Sequence, residues 1–357
     1  GIEFSVVELV QLMQEHGRNI NDRKLLRSFA ENTGQAVSWL ENEWGFTFKL
    51  SSIDKPHLHL PEPELNAALF VDTLQHGLLS RININEHFFS GELEKVSRLN
   101  KGQGFKVFIS TEEKQIELFV RALLFADGGF AGNEQLLTEF APGQSGLRTD
   151  LRPDSTGKGL LFLKEADADL LQLDLIDAVP VYVEDGRFML FQPPSEAYYL
   201  NSYGELIAED EDGAQQLRRL IYSQPNRTVY LVVNDEVLPH QLRFANFFRP
   251  LLTFEQLAEY MKLEEEKAEL LERNLRSLKV PFWVAKTELA VKYTLGGVKI
   301  SPKGEVISGG RPLPGVFAAG EIIGGLHGER ILEGAALSEA VVTARIAAKA
   351  AAEWARR

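Results

Sequence analysis

The sequence predicts an α/β protein in two domains, the second one smaller and richer in strands. Three observations predict this. The chain has 357 residues, and domains mostly run to about 100–200 residues. From Ile176 to Asn234 it turns rich in Pro, Tyr and strand-like runs (VPVYVED, RFMLFQ, EAYYLNS, TVYLVVND), which reads as an α+β unit of its own. Near the C-terminus, Tyr293–Leu337 concentrates glycine where strand gives way to helix, and such places bring backbone close to a ligand or to other backbone.

The elements follow from periodicity and punctuation. Val7, Leu9, Val10 and Leu12 or Met13 recur at helical spacing over 4–15. Asn21 or Asp22 is placed to cap a helix through Leu25, Leu26 and Phe29. A second helix carries Val37, Trp39 and Leu40 and stops near Gly45, and residues 46–50 alternate as a short strand. Residues 65–79 make an amphipathic helix ending near Gly77, and 82–85 and 86–89 alternate like a strand. Residues 104–110 and 115–120 read as a hairpin, and Leu123, Leu124 and Phe125 form a buried strand running into Asp127-Gly128-Gly129-Phe130. A loop over 146–159 leads to a helix over 160–171, and Thr156-Gly157-Lys158-Gly159 at its start resembles an anion-binding turn, without the spacing of a P-loop. Residues 254–278 are helical and highly charged, with Glu264–Glu266 as a solvated face. Strand-like runs at 282–284 and 288–293 lead into the glycine-dense stretch, which carries the strands VKIS and GVFAAGE, the latter ending at Glu321, and then an Ala-rich helix.

Composition narrows the functions. The formal net charge is -13, which argues against a nucleic-acid partner, since phosphate backbones call for clustered Lys and Arg. The chain has no cysteine; that removes disulfides, thiolate nucleophiles, Cys-ligated zinc, iron–sulfur clusters and thioether-attached haem. No apolar run approaches the roughly 20 residues of a membrane span. The N-terminal residues do not have the pattern of a signal peptide, so the expectation is a soluble chain, cytoplasmic rather than exported. His57 and His59 alternate along the chain without a third ligand nearby, and read as surface or loop histidines rather than metal ligands.

The C-terminal stretch resembles the flavoproteins of the fumarate reductase, succinate dehydrogenase and 3-ketosteroid dehydrogenase family. That family carries a phrase of the form HHTxGGLxID, then PGLYAAGExxGGxHGxxRLGGNAL. This chain has Tyr293-Thr294-Leu295-Gly296-Gly297, Pro314-Gly315-Val316-Phe317-Ala318-Ala319-Gly320-Glu321, Gly324-Gly325, His327-Gly328 and Gly334-Ala335-Ala336-Leu337-Ser338. The family's ATGGF is similar to Ala126–Phe130, its early N-x-x-D-x-x-L-V to Asn19–Leu26, its V-x-W-L to Val37–Leu40, and its Y-L-I-F-D-D strand to Tyr230–Asp235. The resemblance implies an FAD/NAD(P)-binding domain of the glutathione reductase type with an inserted α+β capping domain. The boundaries would be 1–175 and 293–357 for the flavin domain and 176–292 for the cap. It implies FAD as cofactor, with Gly128, Gly129, Glu321, Gly324, Gly325, Ala335, Ala336, Leu337 and Ser338 as its contacts. Glu321 is the most specific of these, as the acid that meets the ribityl chain.

Two departures qualify the resemblance. The family opens with a βαβ unit bearing G-x-G-x-x-G, which holds the ADP half of FAD, and no such motif follows a strand here. The expectation is therefore a flavin domain incomplete at its N-terminus, with FAD weakly held or not held unless a further segment or a partner chain completes it. The strands at 123–126 and 316–319 would lose a neighbour, which predicts a homodimer or partner chain across that edge. The cations that clamp a dicarboxylate in the family are also replaced. Its A-H-P phrase reads Ala178-Val179-Pro180, the region of its proton-donating Arg reads Gln192-Pro193-Pro194-Ser195, its histidine pair reads Lys292-Tyr293, and its N-R-L-G-G reads Arg330-Ile331-Leu332-Glu333-Gly334. Fumarate reduction is not expected from such a site. Tyr293, Lys292 and Arg330, with Glu333, are the candidates for a different catalytic set; alternatively Tyr293 packs and the two cations are solvated. Two functions stay open, an FAD-linked oxidoreductase of altered or lost specificity and a non-catalytic binding or scaffold protein that keeps the fold.

Overall fold

A computed structural model describes residues 4–62, 67–81, 91–99, 104–190, 196–209, 214–224, 226–236 and 246–357. The expected strands at 82–85 and 86–89 and the replaced Gln192–Ser195 lie outside these residues. In chain order the helices and strands are α1 (Val6–His16), α2 (Arg23–Trp44), β1 (Phe48–Leu50), β2 (His59–Pro61), α3 (Ala67–Arg81), β3 (Glu92–Arg98), β4 (Phe105–Ser110), β5 (Gln115–Val120), β6 (Leu123–Phe125), α4 (Glu134–Phe140), α5 (Lys158–Glu165), β7 (Leu170–Leu171), β8 (Ile176–Glu184), β9 (Arg187–Leu190), β10 (Tyr198–Asn201), β11 (Leu206–Glu209), α6 (Ala214–Ser223), β12 (Val229–Asn234), β13 (Arg249–Leu251), α7 (Phe254–Tyr260), α8 (Ala268–Asn274), β14 (Phe282–Thr294), β15 (Gly297–Val298), β16 (Glu305–Ser308), β17 (Arg311–Ala318) and α9 (Ala335–Arg356).

The chain forms two compact units. The larger holds residues 1–130, 155–176 and 294–357; the smaller holds 131–154 and 177–293. The smaller unit is built on a seven-stranded sheet of order β11-β10-β12-β14-β8-β9, with β13 also on β14. Its core joins Leu200, Val232, Phe282 and Val284 of the sheet to Leu257 of α7 and Leu271 of α8. The larger unit contains the three-stranded sheet β16-β17-β6, in which β17 runs parallel to β6 with Phe317 opposite Leu124. It also contains the antiparallel sheet β3-β4-β5. Helix α9 covers β17, packing Ala347 and Trp354 on Phe317.

Several elements depart from expectation for local physical reasons. The two helices expected over 22–45 are one. Asp22 caps it, its Oδ1 accepting from the N–H groups of Lys24 and Leu25, and Gly45 ends it at φ 72°. Gly34 falls inside α2 and costs about 1 kcal/mol relative to Ala, but the stripe Leu25, Leu26, Phe29, Ala30, Ala36 and Leu40 is buried along one face, and that burial outweighs it. Helix α3 likewise runs past Gly77, where the missing side chain makes room for the Trp44 ring. The helix expected over 160–171 ends at Glu165. Asp169 instead accepts from the N–H groups of Gly309 and Gly310, and Leu170–Leu171 pair with β15. The runs 282–284 and 288–293 form the single 13-residue strand β14, continuous because Val229–Asn234 lie alongside Phe282–Thr287. Strand β3 was not expected: its Glu, Lys and Arg mask the alternation. Strand β6 ends its sheet among the described residues and Leu124 is 38% exposed, so it is not the buried strand expected.

Candidate functional site

Strands β6 and β17 end side by side, with Ala319 N–H donating to Phe125 O at 3.0 Å. The turns beyond them carry Gly128-Gly129 and Gly320-Glu321. Glu321 is buried, and its Oε1 accepts from Thr294 N–H at 3.0 Å and from Thr294 Oγ1 at 3.2 Å. Gly129 lies against this pair: a Cβ there would overlap Thr294 Oγ1 and stand 2.5 Å from Glu321 Oε1. Gly129, Thr294 and Glu321 thus form one junction held by the protein's own groups. Gly320 N–H donates to Thr343 Oγ1 at 2.9 Å, which fixes the Glu321 turn to α9.

Asp127 departs from the family's ATGGF, and the structure shows what it does. Its Oδ2 accepts from Gly159 N–H at 2.7 Å at the start of α5, where the N-cap Gly157 offers no side chain. The anion-binding turn expected at Thr156–Gly159 is therefore filled by the chain's own carboxyl. Burial raises the Asp127 pKa above the usual carboxylate range, with the hydrogen bond from Gly159 opposing it. A folded pKa above the unfolded one means that protonation stabilises the fold: this contribution is full below the unfolded pKa and is lost as pH rises through the folded one. Asp127→Ala should cost about 1 kcal/mol at neutral pH through the lost cap. Asp127→Asn should cost less, and wild type should gain on the Asn variant as pH falls through the folded pKa. Urea unfolding at paired pH values checks both.

The Gly324–Arg330 loop is pinned from two sides. Asp22 N–H donates to Gly325 O at 2.7 Å, Asn21 Nδ2 to Leu326 O at 2.8 Å and Glu329 N–H to Gly17 O at 3.2 Å, while Arg18 pairs with Glu329. Gly328 takes φ 67° and lies so close to Gly17 O that a Cβ would overlap it. From the other side, His327 Nε2 meets Glu339 Oε2 of α9 at 2.9 Å, the two side chains 2% and 1% exposed. Glu339 was not singled out from the sequence, and His327 entered only as part of the family phrase. The available signal was an acid, Glu339, on the helix face that also carries Ala335 and Val342.

Helix α9 starts at Gly334 with no side-chain cap; Ala335 N–H donates to Leu332 O at 2.9 Å, and the N–H groups of Ala336 and Leu337 stand at the positive end of its dipole. That turn opens on a cavity of about 370 Å3 within the larger unit. The walls include Met13 of α1, Phe29, Ala36, Val37 and Leu40 of α2, Phe70 of α3, and Gly334, Ala335, Leu337 and Ser338. His57, His59 and Glu333 also line it, and Lys55 Nζ holds Glu333 Oε2 at 2.6 Å. Burial lowers the His57 pKa, with Glu333 pulling it up and Lys55 pushing it further down. Among the described residues no group of His, Asp and Glu could hold a metal ion, and no helix is long and apolar enough to cross a membrane.

The residues expected at the site fall into separate groups. Ala335, Leu337 and Ser338 line the cavity, with Ala336 half-buried on the same turn. Gly128, Gly129 and Glu321 are not among its walls and meet instead at the strand-end junction; Gly324 and Gly325 hold the loop to α2 and β15. Lys292 is exposed and Tyr293 buried, both at the end of the smaller unit's β14, whereas half-buried Arg330 belongs to the larger unit.

Comparison with known proteins agrees with this picture. Residues 1–337 match the family described as FAD binding domain. The chain is 23% identical over 395 residues to an NADH:fumarate oxidoreductase of Klebsiella pneumoniae, covering 100% of this chain and 42% of that protein. It is 23% identical over 393 residues to a probable fumarate reductase of Shewanella frigidimarina, covering 99% and 66%. Among solved structures, the open conformation of a flavocytochrome c3 fumarate reductase superposes with a TM-score of 0.85 at 21% identity, covering 100% of this chain and 69% of that one. A 3-ketosteroid delta1-dehydrogenase from Sterolibacterium denitrificans superposes at 0.77 and 12% identity, covering 99% and 89%.

Proposed function

Since the chain belongs to the FAD-binding domain family, we propose that it holds the flavin of an oxidoreductase whose substrate is not a small dicarboxylate. The observation that carries this reading is the cavity at the start of α9. Its volume lies in the range of small-molecule sites, about 300–1,000 Å3. Its walls are mainly apolar, and the uncapped first turn of α9 offers backbone donors to a ring carbonyl. Ala335–Ser338 would meet the flavin ring there, while Gly129, Thr294 and Glu321 keep the strand ends that support this wall in register. When bound, a flavin supplies hydride transfer; the protein's share is to bind and orient it and exclude water. The dicarboxylate is set aside because Val179, Lys292-Tyr293 and Ile331 stand where the family has cations or histidines. Strand β6 ends its sheet among the described residues, which supports completion by a further segment or a partner chain.

Titrating the purified protein with FAD should quench flavin fluorescence to saturation, and fumarate should not reoxidise a reduced viologen dye in the loaded protein. Unchanged flavin absorbance and fluorescence at saturating FAD would sink the reading. A second reading, a protein that keeps the fold without the chemistry, is favoured by the same replaced cations. Steady dye oxidation with an uncharged enone or enoate ester would exclude it.

A further inference from the structure

The cavity of the larger unit is lined mainly by apolar side chains, with a few polar ones among them. Phe29, Val37 and Leu40 of α2 and Val341 and Val342 of α9 belong to the apolar part. The polar residues of the lining are Thr33, His57, His59, Ser338 and Glu333, the last with its side chain 61% exposed. No lysine or arginine is among the described lining residues, and Glu333 is the one carboxylate. The two lining hydroxyls are turned inward, Ser338 Oγ donating to Gly334 O and Thr33 Oγ1 to Phe29 O. Lys55 is clasped to Glu333 and is not itself part of the lining. His57 is held toward its neutral form by burial.

We propose that this cavity takes an uncharged, ring-bearing apolar ligand and turns away anions of the same shape, with Glu333 as the residue that sets the preference. An anion entering here gives up its water without a lysine or arginine in the lining to replace it, because the neighbouring cation, Lys55, is already held by Glu333. The positive end of α9 would ordinarily favour an anion, but Glu333 stands immediately before the N-cap and already occupies that field. A neutral carbonyl or imide avoids that cost and can still accept from the first-turn N–H groups that Leu332 does not occupy. The inference rests on the flavin reading only for the identity of the ring: an uncharged flavin ring satisfies it, and so does a neutral enone.

Two fluorescent probes test this, N-phenyl-1-naphthylamine and 8-anilino-1-naphthalenesulfonate, which share one apolar body and differ in the sulfonate. The uncharged probe should bind wild type about tenfold more tightly than the sulfonate, and Glu333→Gln should narrow the gap to about threefold with the uncharged probe unaffected. Val37→Trp and Leu337→Trp, the second at a 40% exposed position, should each weaken the uncharged probe about fivefold by filling the cavity, with circular dichroism confirming the fold. Equal affinities in wild type, a gap unmoved by Glu333→Gln, or tight binding to both Trp variants overturns the inference. Excess FAD should displace the uncharged probe. If FAD leaves it bound while the gap and its Glu333→Gln response hold, the flavin reading of this cavity falls and charge selection stands.

Discussion

Gly129→Ala should destabilise the larger unit by on the order of 2–6 kcal/mol, because two costs coincide. A methyl forced into a full site costs about 1–3 kcal/mol, and displacing Glu321 from its partners leaves a buried carboxylate short of donors, about 1–3 kcal/mol more. The contact and not the backbone angle is at fault, since a Cβ would overlap Thr294 Oγ1 and stand 2.5 Å from Glu321 Oε1. Thr294→Ala should therefore rescue part of the loss, and the double variant should be more stable than the sum of the singles by about 1 kcal/mol. Trp39, Trp44 and Trp354 lie in the larger unit and Trp283 in the smaller, so tryptophan fluorescence in urea follows mainly the unit concerned. A Gly129→Ala protein that unfolds with wild type would mean the junction is slack.

Glu339→Leu carries the second large effect. Removing one partner of a buried hydrogen bond costs about 1–3 kcal/mol and more where a charge is left behind, whereas replacing both with apolar groups of the same shape is often close to neutral. His327 and Glu339 are 2% and 1% exposed, so Glu339→Leu should fall in that range. Glu339→Gln, which keeps a hydrogen-bonding partner, should cost about 1 kcal/mol. The His327→Leu, Glu339→Leu double variant should recover at least half of the single-variant loss. Denaturation of wild type, Glu339→Leu, Glu339→Gln, His327→Leu and the double variant under one buffer decides it; a double variant as unstable as the sum of the two Leu singles would mean that neither side chain depends on the other.

The fold was legible where one local signal dominated. Apolar periodicity announces α1, Asn21-Asp22 stand before α2, and 104–110 and 115–120 alternate cleanly, whereas the strand expected to run to Glu321 ends at Ala318. It was not legible where distant partners decide. Nothing local says that Asp169 will turn aside to the N–H groups of Gly309 and Gly310 and end a helix, or that Trp44 will use the space at Gly77 and let α3 run on. The site divides in the same way. Ala335–Ser338 could be placed at a helix start through their resemblance to the family's closing phrase. Glu321 could be picked out as a special acid, but its partner Thr294 lies 27 residues away, and Lys55 meets Glu333 across 278. Pairings of that reach have no trace in a local window.

The parallel pairing of β6 with β17 has a consequence for synthesis. Leu123–Phe125 leave the ribosome roughly two hundred residues before Val316–Ala318. At about 5–20 residues per second the first strand waits on the order of ten seconds or more for its neighbour. During that interval the residues of the smaller unit, 131–154 and 177–293, have all emerged. The inserted unit can therefore finish folding while its host still lacks both β17 and α9. The larger unit closes last, and in the meantime Leu123–Phe125 and the apolar face of α2 are the segments a nascent-chain chaperone would find exposed.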